Sequence, residues 1–316
     1  MTEQTIPVAD LDDYRSGDPD RRAHFVKTVG EALEDIGFFS LINHGVDSAL
    51  IERAYELTEA FFDLPEDTKL SYEDLALKGQ RGFTSFGREH AKDASAPDLK
   101  EFWHVGREFA ADDARHGSLA QNLWPTEVTG FKTTMLDLYT QLDACAATLL
   151  EACSVYLGEA PDLLPSMADG GDTILRVIHY PPVPEDANPA SVRAAAHEDI
   201  NFITLLCEST DEGLELLQRD GSWRPIHALD GHIIVDSGDM IQQITNGRFQ
   251  STTHRVANPN NDRSRRFSMP FFVHPRHDVD LTPLKSAVDA TGGEAKFPSL
   301  TAGEYLQQRL REIGLA

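Results

Sequence analysis

Cysteine is scarce: Cys145, Cys153 and Cys207 are the only three in 316 residues, and none forms a Cys-x-x-Cys pair. Cys145 and Cys153 lie on one helical pattern, roughly 12 Å apart at about 1.5 Å rise per residue, beyond disulfide reach. The odd count and the spacing exclude a disulfide scaffold and predict reduced thiols in a cytoplasmic protein. Positive charge is also short, with Lys+Arg 28 against Asp+Glu 52 and a net charge of −24. An acidic surface of that kind repels nucleic acid and anionic membrane, so neither is expected as a partner. It also fits a saline habitat. No apolar run approaches the roughly 18 residues of a membrane span. The opening "MTEQTIPVADLDDYRSGDPDRR" has no apolar h-region, so no signal peptide is expected. What remains, 41% hydrophobic and 25% charged, fits a soluble globular protein with a sizeable core.

The first 165 residues or so read as mostly helical. "DPDRRAHFVKTVGEALEDIG" opens on a capping Asp and stops at Gly37, and "FFSLINHGV" follows as a short strand and turn. A second helix is expected from Asp47 to Phe62. Residues 67–125 show little periodicity and read as loops with short elements. "FKTTMLDLYTQLDACAATLLEACSVYLG" is a long amphipathic helix that stops at Gly158 and must pack on something large. From Gly171 onward the pattern turns to strands: "TILRVIHY", "NFITLL", "LELLQ", "WRPIH", "HIIVDSG", "MIQQIT", "FQSTTHRVA" and "RRFSMPFFVH". Asp220-Gly221 and Asn246-Gly247 read as hairpin turns between them. Short strands at this spacing predict an antiparallel jelly roll or barrel. The expected divisions are a helical N-terminal part over 1–165, a β core over 166–280 and a C-terminal helical segment over 281–316.

Chemistry gathers in the β core. Side chains at i and i+2 of a strand share a face, so His197 and Asp199 of "HEDINFITLL" would converge. His254 in "STTHRV" is the best third ligand, giving two histidines and a carboxylate on one side of a metal. That facial triad leaves positions open, as non-haem Fe(II) oxygenases require. By itself, His-x-Asp is a weak signal that more often marks a solvent-facing strand end. Arg266 and Ser268 in "RFS" would share the next strand's face, a planar fork and a hydroxyl suited to a carboxylate. A dicarboxylate could then bridge arginine and metal, although Arg266 also fits a surface pair within "DRSRRF". Arg176, Ile178 and Tyr180 share one face of "LRVIHY", expected to look into the pocket.

The set "HEDINFITLL", "GDMIQQITNGRFQSTTHRVANP" and "RRFSMPFF", with "GFFSLINHGV" and "LRVIHYPP" upstream, resembles the isopenicillin N synthase-like branch of the Fe(II)/2-oxoglutarate-dependent oxygenases. The resemblance covers roughly residues 5–280. It implies a mainly β fold with α: a double-stranded β-helix (jelly roll, cupin-like) core, a helical N-terminal part and a long supporting helix. It further implies His197, Asp199 and His254 as iron ligands, and Arg266 and Ser268 on the distal carboxylate of 2-oxoglutarate. Tyr180 joins them as a co-substrate contact or packs in the core, while Ile178 stands where many relatives carry Asn. By the same resemblance "GQRGFTSFGREH" and "DLKEFWHVG" border the substrate entrance, making Arg81, Phe83 and Trp103 candidate substrate contacts, and Arg176, on the inward face of "LRVIHY", is a fourth candidate.

The activity implied is oxidation of a small molecule by O₂, through hydroxylation, desaturation, ring closure or a related outcome, with release of succinate and CO₂. Ethylene formation from 2-oxoglutarate itself is a further family variant. Alternatives are an iron oxidase of the same fold that does not use 2-oxoglutarate, and a non-catalytic metal-binding β-barrel. A monomer or small homo-oligomer is expected.

Overall fold

Local sequence sets the N-terminal elements in the computed structural model, which describes residues 6–88, 98–183, 192–207, 209–227, 229–258 and 264–312. After β1 (Val8–Asp10) and α1 (Leu11–Arg15), the Asp18 carboxylate accepts from the Asp20 and Arg21 N–H groups and starts α2 (Pro19–Asp35). Proline at the first helical position loses no hydrogen bond there. Gly37 ends the turn with φ +72°, and a Cβ at that point would lie 2.3 Å from the Gln250 carbonyl oxygen. Only glycine lets β2 (Phe38–Ile42) pass so close. Asp47 caps α3 (Ser48–Phe62), and Pro65 precedes α4 (Glu66–Leu70). Two strands follow, β3 (Gly82–Thr84) and β4 (Glu101–Gly106), before α5 (Phe131–Tyr156) and α6 (Leu163–Ala168). Helix α5 buries Phe131, Met135, Leu138, Leu142, Cys145, Leu149 and Cys153 at helical spacing. Burial pushes the Cys145 and Cys153 thiols up to about 12, so both are inert packing groups.

The β core comprises β5 (Ile174–Tyr180), β6 (Ala194–His197), β7 (Ile203–Leu206), β8 (Leu214–Leu217), β9 (Trp223–Pro225) and β10 (Ile233–Ser237). It continues through α7 (Asp239–Ile244), β11 (His254–Val256), β12 (Arg266–Ser268) and β13 (Pro270–Val273), and α8 (Lys285–Ala290) and α9 (Ala302–Glu312) follow. The larger sheet runs β1-β2-β10-β7-β13-β5-β4-β3, with β12 also paired to β5; the smaller runs β6-β11-β8-β9. Among the described residues, every strand pairing apart from β1 with β2 is antiparallel. Neighbours distant in sequence and two facing sheets make a jelly roll. Strands β1 to β4 extend that roll, so the N-terminal residues contribute edge strands as well as helices.

"MIQQIT" is a correction: it forms α7 and not a strand. Met240, Ile241 and Ile244 are buried at helical spacing, and the Asp239 N–H donates to the Asp199 carbonyl at 2.7 Å to start the turn. Asn246 and Gly247 do take positive φ, 53° and 77°, but they end that helix instead of joining two strands. The Asn246 amide donates to Thr291 Oγ1 (2.6 Å) and the Glu294 carbonyl (2.9 Å), which fixes it there.

An aromatic cluster joins the helices to the sheet. Phe61 of α3 packs on Phe62, Phe83, Trp103 and Phe131 with ring centroids 5.2, 5.9, 4.8 and 5.9 Å away. Phe83→Leu, which trims one ring of this cluster, should lower stability by about 1–1.5 kcal/mol in urea titration. Because Phe83 does not border the cavity described below, ligand binding there should stay unchanged. A weakened affinity without a stability loss would place Phe83 in the binding site instead.

Candidate functional site

Two sheets meet around a cavity of about 70 Å³. On the smaller sheet, His254 of β11 stands directly opposite His197 of β6 in antiparallel register, their rings 4.4 Å apart. The His197 Nδ1–H donates to the Ala195 carbonyl (2.7 Å) and the His254 Nδ1–H to the Thr252 carbonyl (3.1 Å). Those bonds fix the tautomer and leave both Nε2 lone pairs facing inward. Asp199 Oδ1 lies 3.9 Å from His197 Nε2 and 3.8 Å from His254 Nε2. One donor atom from each residue falls within 4.8 Å of the others, an arrangement that could hold a metal ion. The donor set, two imidazoles and one carboxylate on one side, is that of a facial Fe(II) site. Burial and the neighbouring His254 lower the His197 imidazole from its ordinary value, which favours the neutral, metal-binding form.

Asp199 arrives by a route the sequence pattern does not give. Strand β6 ends at His197, and Asp199 sits beyond it in a loop. Its position comes from the larger sheet: Thr204 Oγ1 of β7 donates to Asp199 Oδ2, and the Asn201 amide donates to that same Thr204 oxygen at 2.9 Å. Asp236 of β10, hydrogen-bonded to Asp199, has its carboxyl pushed well above the usual carboxylate range, first by burial and then by Asp199. That shift favours the protonated form of Asp236 as the donor in its hydrogen bond with Asp199.

At the other end of the cavity stands Arg266, 1% exposed. It pairs across β12–β5 with Tyr180, whose ring lies 5.0 Å below the guanidinium. Its Nε donates to the Asp211 carbonyl at 3.1 Å, while its Nη1 is buried without a hydrogen-bond partner among the described residues. Burial pulls this guanidinium down from its ordinary value. An orphaned cationic donor beside the buried Ser268 hydroxyl is what a carboxylate would satisfy. Arg265, one residue earlier, points the other way and pairs at the surface with Asp63 (2.7 Å). Arg193, also buried, takes the Asp211 carboxylate (3.2 Å), so that acid is committed elsewhere.

Four residues marked as substrate contacts separate cleanly. Arg176 lines the cavity. Arg81, Phe83 and Trp103 are not among the residues that border it. Arg81 is enclosed, bonded to Asp172 at 2.6 Å and to the Gln80 and Ala120 carbonyls. Phe83 and Trp103 belong to the aromatic cluster on the opposite face of the sheet. The residues of β4 and its approach that look inward are Lys100 and Phe102, unmarked in the sequence reading. Lys100 is ion-paired with Asp98 at 2.8 Å. Thr204, Asp236 and Phe272 were missed as well. Strand alternation in "DLKEFWHVG" separates the Lys100/Phe102/His104 face from the Trp103 face, but does not say which one is inside.

Comparison with known proteins adds independent findings. Residues 6–127 match the family model described as non-haem dioxygenase in morphine synthesis N-terminal, and residues 171–275 match that of the 2OG-Fe(II) oxygenase superfamily. A crystal structure from Caulobacter crescentus described as a 2OG-Fe(II) oxygenase family protein is 38% identical, with TM-score 0.86 over 98% of this chain and 100% of that one. A Neurospora crassa structure solved with alpha-KG and thymine is 29% identical, with TM-score 0.86 over 97% and 96%. A 2-oxoglutarate-Fe(II) type oxidoreductase of Emericella nidulans is 28% identical over 97% of this chain and 90% of its own length.

Proposed function

The chain belongs to the 2OG-Fe(II) oxygenase superfamily, and from that premise we propose that it oxidises a small-molecule substrate in the cavity between its two sheets. His197, Asp199 and His254 are the proposed holders of Fe(II), and Arg266, Ser268 and Tyr180 those of 2-oxoglutarate. The observation that carries this reading is the pairing, in one cavity, of three converging donors with a buried arginine whose Nη1 lacks a partner. Bound Fe(II) and 2-oxoglutarate supply the O₂ chemistry, in which 2-oxoglutarate is converted to succinate and CO₂ as the substrate is oxidised.

The protein's own contribution is geometric and electrostatic. Backbone carbonyls hold both imidazoles with Nε2 facing the cavity, and Thr204 with Asp236 aims one carboxylate oxygen between them. Arg266 neutralises and orients the far carboxylate of the co-substrate. Phe38, Leu206, Ile234 and Val256 line the walls and exclude water around the donors. The relatives solved with thymine and with JA take small molecules, which supports a small molecule for this chain too.

Anaerobic addition of 2-oxoglutarate to the Fe(II) protein should give a visible charge-transfer band, and aerobic turnover should release succinate only when both are present. Turnover with Fe(II) alone and no such band would favour the oxidase that dispenses with 2-oxoglutarate.

A further inference from the structure

The cavity carries a second guanidinium that the co-substrate does not need. Arg176 lies on the inward face of β5 four residues before Tyr180, about 13 Å along the strand at roughly 3.3 Å per residue. The two ends of that face differ in their neighbours. Tyr180 pairs with Arg266, which marks the far end of the co-substrate site. Arg176 neighbours Phe272, whose ring centroid is 5.3 Å from its guanidinium, and Phe272 pairs with Thr204, the residue that holds Asp199. These contacts link Arg176 through Phe272 to the residue that holds Asp199, on the stretch of the strand away from Arg266.

Its guanidinium is held in a defined plane. Phe102 lies 4.3 Å from it, and its Nε donates to His104 Nε2 at 2.6 Å across the β4–β5 pair. Arginine is always charged and only donates, so a ligand group placed against it has to be an acceptor, and in a partly dry cavity an anionic one. Beside it, Phe102, Ile178, Leu206 and Phe272 offer apolar surface. A diacid stretched between the triad and Arg266 leaves this end to the other ligand.

We propose that the substrate is a small carboxylic acid with an apolar body, its carboxylate read by Arg176 and its body lying along Phe102 and Phe272. The proposal rests on the oxygenase reading above, and its test separates the two. The probes are a matched set of aromatic, alicyclic and straight-chain carboxylic acids and their primary amides, titrated into Mn(II) protein already saturated with 2-oxoglutarate, without O₂. Titration of 2-oxoglutarate alone is the control. Acids should bind and their amides should not.

Arg176→Gln should weaken acid binding about ten- to a hundredfold, the worth of a charge-assisted bond. Its 2-oxoglutarate affinity should move less than about threefold, a split that general damage to the fold would not produce. Arg176→Lys should keep the preference for acids over amides at reduced affinity. With the Fe(II) protein in air, acids that bind should raise succinate release above the rate with 2-oxoglutarate alone. Amides binding as well as acids, acid affinity unchanged in Arg176→Gln, or no acid binding to protein that takes up 2-oxoglutarate would each overturn this proposal and leave the oxygenase reading standing. Failure to bind 2-oxoglutarate at all would instead sink the reading on which it rests.

Discussion

Replacing any one of His197, Asp199 and His254 by alanine is expected to abolish 2-oxoglutarate-dependent succinate release and to weaken Fe(II) or Mn(II) binding by more than about a hundredfold. Changing a single outer-shell partner typically costs about 10–100-fold, and losing a donor outright should cost more. Thr204→Val supplies the intermediate case. It removes the hydroxyl that donates to Asp199 Oδ2 but keeps the side-chain shape, so metal affinity should fall within that 10–100-fold range. The fold should survive these changes, since the three donors lie at the cavity wall and outside the main packed cluster. Metal binding by calorimetry, succinate release and thermal melting of the metal-free protein check the three parts separately. Wild-type metal affinity in any alanine variant would remove that residue from the ligand set.

The sequence carried much of this site, though not always for the right geometric reason. His197 and Asp199 were singled out by strand alternation, yet β6 stops at His197, and Asp199 is delivered by a loop and secured from the opposite sheet. That long-range contact leaves no local pattern. Alternation worked better on β5, where Arg176, Ile178 and Tyr180 all border the cavity. It failed on β4 because either face was chemically plausible, and the bulkier Trp103 belongs to the side buried against α3 and α5. The α7 helix was misread because isoleucine and glutamine say little about helix or strand over six residues. Its deciding contacts, backbone bonds to Asp199, Ile200 and Asn201, lie some forty residues away in sequence. Caps and stops were the most legible features: Asp18, Asp47 and Gly37 act within a turn of where they stand. Arg266 was picked out by its companions in the chain, and only burial tells it apart from Arg265.

Arg266→Met should cost the protein most of its 2-oxoglutarate affinity while leaving the ligand-free fold as stable as before, or more so. In the present structure the guanidinium is almost fully buried, keeps one bond to the Asp211 carbonyl and leaves Nη1 unpaired. A buried charge short of partners is a burden on the empty protein. Methionine fills similar space without the charge, so the melting temperature without ligand should hold or rise. Binding is the opposite case. A carboxylate clamped by charge-assisted bonds in a partly dry pocket loses on the order of 2–5 kcal/mol when its partner goes, largely through being left unpaired. At about 1.4 kcal/mol per tenfold, that is roughly a thirtyfold rise in Kd or more. The same loss appears in ligand-induced stabilisation. At 2-oxoglutarate a hundredfold above the wild-type Kd, the wild type gains about 2.7 kcal/mol, and a variant thirtyfold weaker gains only about 0.9 kcal/mol. Arg266→Lys should recover part of the affinity, because an ammonium keeps the charge and loses the planar fork. Calorimetry on the Mn(II) proteins without O₂, paired with melting curves at fixed 2-oxoglutarate, reads both quantities. A variant that melts lower when empty yet binds 2-oxoglutarate as tightly as wild type would make Arg266 a structural residue and leave the co-substrate carboxylate without its proposed partner.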